Sequence, residues 1–233
     1  MNVYILTSNN YVHCLPAFAY QFNLHWSAKC PVTVIHYDTR PPELPRNFSL
    51  HQNGKQDCSW SAGVLRWLKY LEDEHFILFL EDYLLSKPVN TGLVQQLIKL
   101  AERHPDIAKI DLTDDRIKHP HSNTVIDDVP LVKAYRSAPF LTSLQAAIWR
   151  KDFLQAFLEE SENPWNFEKK GTKRVQAAYK AKTFSGKILG ARRPPVSYIN
   201  GVGGAGNHPH VWDRKYFPDE MWNDLKARGL VDG

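Results

Sequence analysis

Two acids stand side by side inside an otherwise apolar run, "FILFLEDYLL", Phe76 to Leu85. Carrying Glu81 and Asp82 to the end of a core strand is costly unless something pairs with them. A divalent cation gives them a purpose: Mg²⁺ or Mn²⁺ is commonly held by one or two carboxylates while substrate phosphates and water complete its shell. A second stretch, "ENPWNFE", sets Glu168 beside Trp165 and Phe167. An apolar aromatic wall raises a carboxylate's pKa and suits Glu168 to act as a general base near neutral pH. A third, "SYINGVGGAGNHPH", places Tyr198 and Asn200 ahead of four glycines and then His208 and His210. Glycines let the backbone approach a ligand closely, and a histidine just beyond is a reasonable additional metal ligand. Read alone, each stretch also fits a bland structure: a capped turn, a helix start with its aromatics in the core, and a surface loop.

The elements that must position these residues are legible from periodicity. Val3 to Thr7 reads as a first strand ending in Ser8-Asn9-Asn10, and Leu15, Phe18, Phe22 and Trp26 recur at helical spacing. "VTVIHYD" follows as a second strand ending at Asp38, which completes a βαβ unit with a right-handed crossover. "TRPPELPRNF" is expected to be loop, Trp60 onward a helix, and Phe76 to about Leu80 a third strand. A helix then spans about Thr91 to Arg103, and "IAKIDLT" is a further strand ending in Asp114 and Asp115. The polar stretch from Arg116 to Pro130 is expected to be a flexible loop. "SLQAAIWR" reads as a strand feeding a helix, followed by helices near Thr172–Tyr179 and Pro218–Arg228 with a strand near Lys187–Leu189 between them. Alternating β and α elements predict an α/β fold with a mainly parallel sheet. Ser8-Asn9, Asp38 and Glu81-Asp82 would then lie on one carboxyl edge, where ligands bind such sheets.

The order of parts resembles nucleotide-sugar-dependent glycosyltransferases of the GT-A fold, and in particular small phage and bacterial members. "YILTSN", "LEDY", "PWNFE" and the C-terminal histidine segment fall in the family's sequence order. The resemblance implies a Rossmann-like, mixed and mainly parallel sheet flanked by helices. It implies one domain over 1–233, with a nucleotide-binding half of about 1–115 and an acceptor-binding half of about 116–233. It also implies transfer of a sugar, with UDP as the expected nucleotide, to an acceptor hydroxyl. Thr7, Ser8, Asn9 and Asp38 would contact the nucleotide, with Glu81 and Tyr83 beside them. Asp82 and His208 (or His210) would hold Mn²⁺ or Mg²⁺ on the diphosphate, and Glu168 would deprotonate the acceptor. Trp165, Asn200 and Arg174 would bind the acceptor. The family's DxD position is degenerate here, since Tyr83 stands where a second aspartate would be.

Composition narrows the alternatives. The 233 residues carry a net charge of +4 and 43% hydrophobic residues, ordinary for a soluble protein. Arg150, Lys169, Lys170, Lys173 and Arg174 form a basic run that would suit an anionic acceptor. Three cysteines without metal-site spacing imply no disulfide framework, and with no export signal or spanning segment the expected location is cytoplasmic. No GxGxxG follows the first strand, which disfavours a nicotinamide enzyme. "TSNNYVH" has neither glycine nor lysine, which disfavours a nucleotidyltransferase. A hydroxymethylated base in phage DNA, a glycan, or a lipid-linked saccharide all fit as acceptor. A non-catalytic nucleic-acid- or sugar-binding module is the competing reading.

Overall fold

A computed structural model describes residues 2–202 and 212–231. Nine strands form one sheet in the order β3-β2-β1-β4-β9-β6-β10-β8-β7. They are β1 (Val3–Leu6), β2 (Val32–His36), β3 (Phe48–Gln52), β4 (His75–Leu80), β6 (Ile107–Asp111), β7 (His121–Ile126), β8 (Val129–Ala134), β9 (Ala147–Arg150) and β10 (Lys187–Ala191). Two short strands, β5 (Tyr83–Leu85) and β11 (Tyr198–Asn200), pair separately as an antiparallel ribbon. β3, β2, β1 and β4 are mutually parallel, as are β6 and β10, while β9 runs against both of its neighbours. The sheet is therefore mixed and mostly codirectional, flanked by helices in a Rossmann-like α/β arrangement.

Both faces are covered, which is why the strands read as continuous apolar runs. Along β4, Ile77 and Phe79 pack into one core layer with α1 (Leu15–Phe22) and α3 (Thr91–Arg103). Phe76 and Leu78 pack into the other with α2 (Trp60–Tyr70) and α4 (Lys151–Phe157). Successive side chains point to opposite faces, so one strand serves both layers. The second layer also holds Phe167, Val175 and Tyr179 from the helical stretch Pro164–Ala181. That stretch comprises α5 (Pro164–Asn166), a π-helical turn (Phe167–Gly171) and α6 (Thr172–Ala181). The C-terminal helix α7 (Asp219–Ala227) closes the first layer with Trp222 and Leu225.

Several expectations need correction. The Arg116–Pro130 stretch is no loop: β7 and β8 form a hairpin across it, turning at Asp127-Asp128, both with positive φ (49° and 62°). Two consecutive left-handed residues fit a two-residue hairpin turn, for which Asn-Gly is the usual signal, and an Asp-Asp pair hides it. β3 was concealed behind the proline-rich segment, and β9 inserts antiparallel between β4 and β6. The helix expected near Thr172 is present as α6 and is preceded, beyond that expectation, by α5 and the π-helical turn, where Asn163 caps the start by accepting from Asn166 N (2.8 Å) with Pro164 in the first turn.

One close contact fixes the start of α2 against the end of β2. A Cβ on Gly63 would lie 1.9 Å from the Tyr37 hydroxyl oxygen, and Gly63 O accepts from Asn53 Nδ2 (2.8 Å). Gly63→Ala is expected to cost about 1–3 kcal/mol through overpacking. Each kcal/mol should appear as about 2–4 °C lost in Tm by calorimetry. An unchanged Tm would show that Tyr37 swings away freely.

Candidate active site

A cavity of about 430 Å³ opens beyond the carboxyl ends of β1 and β4. Thr7 and Ser8 reach it from the end of β1, Glu81 and Asp82 from the turn after β4, and Tyr83 from β5. Asn200 enters from β11, and Trp165 and Glu168 from the helical stretch on the opposite side. Eight residues singled out from the sequence thus share one cavity. The β5–β11 ribbon joins the acidic segment to the glycine segment: Asn200 pairs with Tyr83, and Gly201 N donates to Asp82 O (2.9 Å).

Glu81 is buried, not solvated, and its Oε1 accepts from Thr7 Oγ1 (3.1 Å). Burial, then the neighbouring Asp82 charge, pushes its carboxyl well above the ordinary range. Asp82 is raised to about 6, chiefly by burial and further by Glu168. Its Oδ1 is sealed from solvent and has no hydrogen-bond partner among the described residues. A buried acceptor left this way costs free energy. Because Glu81 has a raised pKa in the folded state, folding binds its proton more tightly than the unfolded chain does. Its penalty is absent below about pH 4.3 and grows as pH rises from there toward the folded value. Glu81→Gln, which still accepts from Thr7, is therefore expected to raise Tm at pH 7 in EDTA, by about 2–4 °C per kcal/mol relieved, with no gain at pH 4. An equal gain at both pH values would sink this account.

Glu168 sits in the π-helical turn, whose extra residue leaves carbonyls without their usual partners. Thr142 Oγ1 lies within hydrogen-bond reach of the Phe167 and Glu168 carbonyls (3.1 and 3.2 Å), and Leu144 N donates to Glu168 Oε1 (2.8 Å). The segment that supplies Leu144 is itself held from below, by buried Lys109 Nζ donating to Ser143 O (2.6 Å). Lys109 also pairs with Asp111 (2.6 Å), which pairs in turn with Arg116 (2.9 Å), so the support for Glu168 is a fully buried ionic triad. Burial raises the Glu168 carboxyl above its ordinary value, with the Leu144 amide and Lys109 opposing.

The remaining sequence-derived residues stand elsewhere. Asn9 and Asp38 lie at the exposed rim: Asn9 Nδ2 donates to Asp38 Oδ1 (2.8 Å), which also accepts from Gln56 N (3.1 Å). Arg174 does not line the cavity. Its guanidinium is taken by Glu162 (2.6 and 2.9 Å) and the Phe157 carbonyl (2.6 and 3.0 Å), and it braces the segment leading to Asn163. His208 and His210 lie outside the described residues. The structure adds residues the sequence did not flag, notably Tyr11, Gln56, Trp60 and Asn163. Trp60 follows Ser59, whose capping of α2 and hydrogen bond to Glu160 O, with Ser61 reaching Glu159 O, bring it near Asn163 and Trp165.

No Lys, Arg or His is present among the described residues lining the cavity. Three carboxylates without a cation suit a divalent ion brought in with phosphates. The described residues contain no cluster of three metal-ligating side chains. An ion held here by a carboxylate such as that of Asp82 would take its other positions from diphosphate and water, the usual arrangement for Mg²⁺.

No family model and no curated sequence matches this chain. Two solved structures of similar arrangement are UDP-glucose pyrophosphorylase in complex with UDP-glucose (TM-score 0.48, 12% identity, 86% of this chain and 93% of that one) and CMP:2-keto-3-deoxy-manno-octonic acid synthetase in complex with CTP (TM-score 0.48, 13% identity, 98% of each). At those values the likenesses carry no inference about activity. Among the described residues no helix is long and apolar enough to cross a membrane.

Proposed function

We propose that this chain is a glycosyltransferase that moves a sugar from a nucleoside-diphosphate sugar, with UDP as the nucleotide, to an acceptor hydroxyl. The observation that supports the reading is that Asp82, whose buried Oδ1 has no partner among the described residues, lines the same cavity as Glu168, with no Lys, Arg or His among the described lining residues. Residues of about 1–115 form the donor half: Thr7, Ser8 and Glu81 at the cavity floor, Asn9, Asp38 and Gln56 at the rim for ribose and base. Residues of about 116–233 supply the acceptor half. Asp82 would hold Mn²⁺ or Mg²⁺, with His208 as the additional ligand expected from sequence. When bound, that ion supplies charge neutralisation for a departing nucleoside diphosphate. Glu168 Oε2 is the oxygen left to take the acceptor proton, since Oε1 is occupied by the Leu144 amide. Trp60 and Trp165 offer stacking faces, and the carboxamide groups of Asn10, Gln56, Asn163 and Asn200 offer N–H donors for hydroxyl groups, the oxygens of the last three already accepting from backbone amides. A saccharide hydroxyl and the hydroxyl of a hydroxymethylated base in phage DNA are the two acceptor classes, separated by which of them becomes labelled from a radiolabelled donor.

The deciding experiment is a thermal-shift titration with nucleoside diphosphates with and without Mn²⁺, followed by nucleotide-sugar turnover. UDP with Mn²⁺ at about 100 times its Kd is expected to stabilise the fold by about 2.7 kcal/mol. That corresponds to about 5–11 °C for a chain of this length. Stabilisation without release of nucleoside diphosphate in any donor and acceptor combination would favour the binding-module reading. No response to any nucleotide would overturn both.

A further inference from the structure

We infer that the outer face of α6 and the turn at 135–140 together form a docking surface for single-stranded nucleic acid. Two stretches of the chain contain no acid at all, residues 129–150 and 169–182, and they pack against each other. Gln176 Nε2 donates to the Ser137 and Ala138 carbonyls (3.1 and 2.9 Å), and Arg136 lies over the Tyr179 ring at 5.3 Å. Lys173 and Lys180 flank Gln176 at three and four residues along the helix, so they share its face and bracket the turn. Arg136, Lys170, Lys173, Lys180 and Lys182 are all exposed, and none has an acidic partner among the described residues. Elsewhere on the surface Arg66, Lys118 and Lys187 do have such partners, while Lys69, Lys87 and Lys99 stand singly without an ion pair among the described residues.

Charge alone would suit any polyanion, and the aromatics narrow it. Tyr135 is 51% exposed and Phe140 36% exposed, one at each end of the turn. Phe140 is held there at positive φ (52°), its carbonyl accepting from Arg116 Nη2 (2.7 Å) and its ring stacked on His119 at 5.3 Å. Outward rings interleaved with cations are the means by which proteins hold single strands: bases stack on the rings while the backbone follows the charge. Lys173 and Lys180 are about 10 Å apart along α6. The surface is separate from the cavity, and binding is measured with no donor present, so its outcome is independent of the glycosyl-transfer reading.

The test is fluorescence anisotropy of the full chain with fluorescein-labelled dT12 at NaCl from 50 to 200 mM. Wild type is expected to bind, with affinity falling steeply as salt rises. Lys173→Glu/Lys180→Glu should weaken binding at least tenfold and reduce the log–log salt slope by about 1.4, since each phosphate neutralised on a single strand contributes roughly 0.7. Tyr135→Ala should weaken binding about 5- to 100-fold while leaving the salt slope in place, as loss of one stacked base would. Lys99→Glu, an exposed reversal on α3, should change neither. All variants are compared at matched Tm. Failure of wild type to bind dT12 at 50 mM NaCl overturns the inference. So does equal affinity for dextran sulfate with no effect of Tyr135→Ala, or preferential binding to duplex or to phosphatidylserine vesicles.

Discussion

Asp82→Asn is expected to remove nucleotide-sugar turnover while leaving the metal-free fold as stable as wild type or more so. The two effects have one origin. Asp82 carries a carboxylate whose Oδ1 is buried without a partner among the described residues, and whose pKa is raised to about 6 mainly by that burial. Replacing it with a neutral amide relieves an unfavourable charge when no metal is bound and removes the ligand on which metal binding would rest. Lewis-acid assistance to a leaving group is worth several kcal/mol, so turnover should fall on the order of 10³-fold. The thermal shift given by UDP with Mn²⁺ should fall with it, to the shift given by UDP alone. Stability and activity moving in opposite directions is the signature sought by calorimetry and a nucleoside-diphosphate release assay. If Asp82→Asn lowers the metal-free Tm by several degrees and leaves turnover within a few-fold, Asp82 is a structural residue and the assignment fails.

Glu168→Gln carries the second large expected effect. The amide oxygen can still accept from Leu144 N, so the π-helical turn keeps its place while the proton acceptor is lost. General-base catalysis contributes about 10²–10⁴-fold, and kcat should drop by that factor with KM for the donor little changed. The base works only when ionised, so in wild type kcat/KM should rise with pH through the folded-state pKa of Glu168. Burial places that value above the ordinary 4.5. Stability moves the other way: a raised folded pKa means Glu168 costs nothing below its unfolded value and progressively more as pH climbs above it. Glu168→Gln should therefore flatten the decline in Tm between about pH 4.3 and neutrality, together with the loss of rate. A variant with unaltered kcat would move the base elsewhere in the cavity.

Much of this site was legible because its parts interrupt their surroundings. Glu81-Asp82 breaks an apolar run, and Asn163-Pro164 announces a helix start that sets Trp165 and Glu168 within its first turns. The parallel strands were legible because both of their faces are covered and no alternation blurs them. What the sequence withheld depends on long-range partners. Trp60 and Gln56 look like ordinary residues around a helix start until Ser59 and Ser61 are seen bonding to carbonyls about a hundred residues away. Arg174 read as one of a basic run, yet Glu162 and Glu159, twelve and fifteen residues earlier, claim it. The β7–β8 hairpin hid behind a polar strand and a turn of two aspartates. The reason is physical: edge strands need only one buried face, and aspartate adopts positive φ more readily than most residues.

The π-helical turn at Phe167–Gly171 is in effect one surplus residue wound into an otherwise regular rod. Everything before it is rotated by about 100° relative to everything after it, compared with an uninterrupted α-helix. Excising a single codon there would restore ordinary winding, swing the carboxylate off its bearing, and spare the packed face of α6. Such a deletion is thus expected to displace Glu168 from the cavity while leaving the sheet in place.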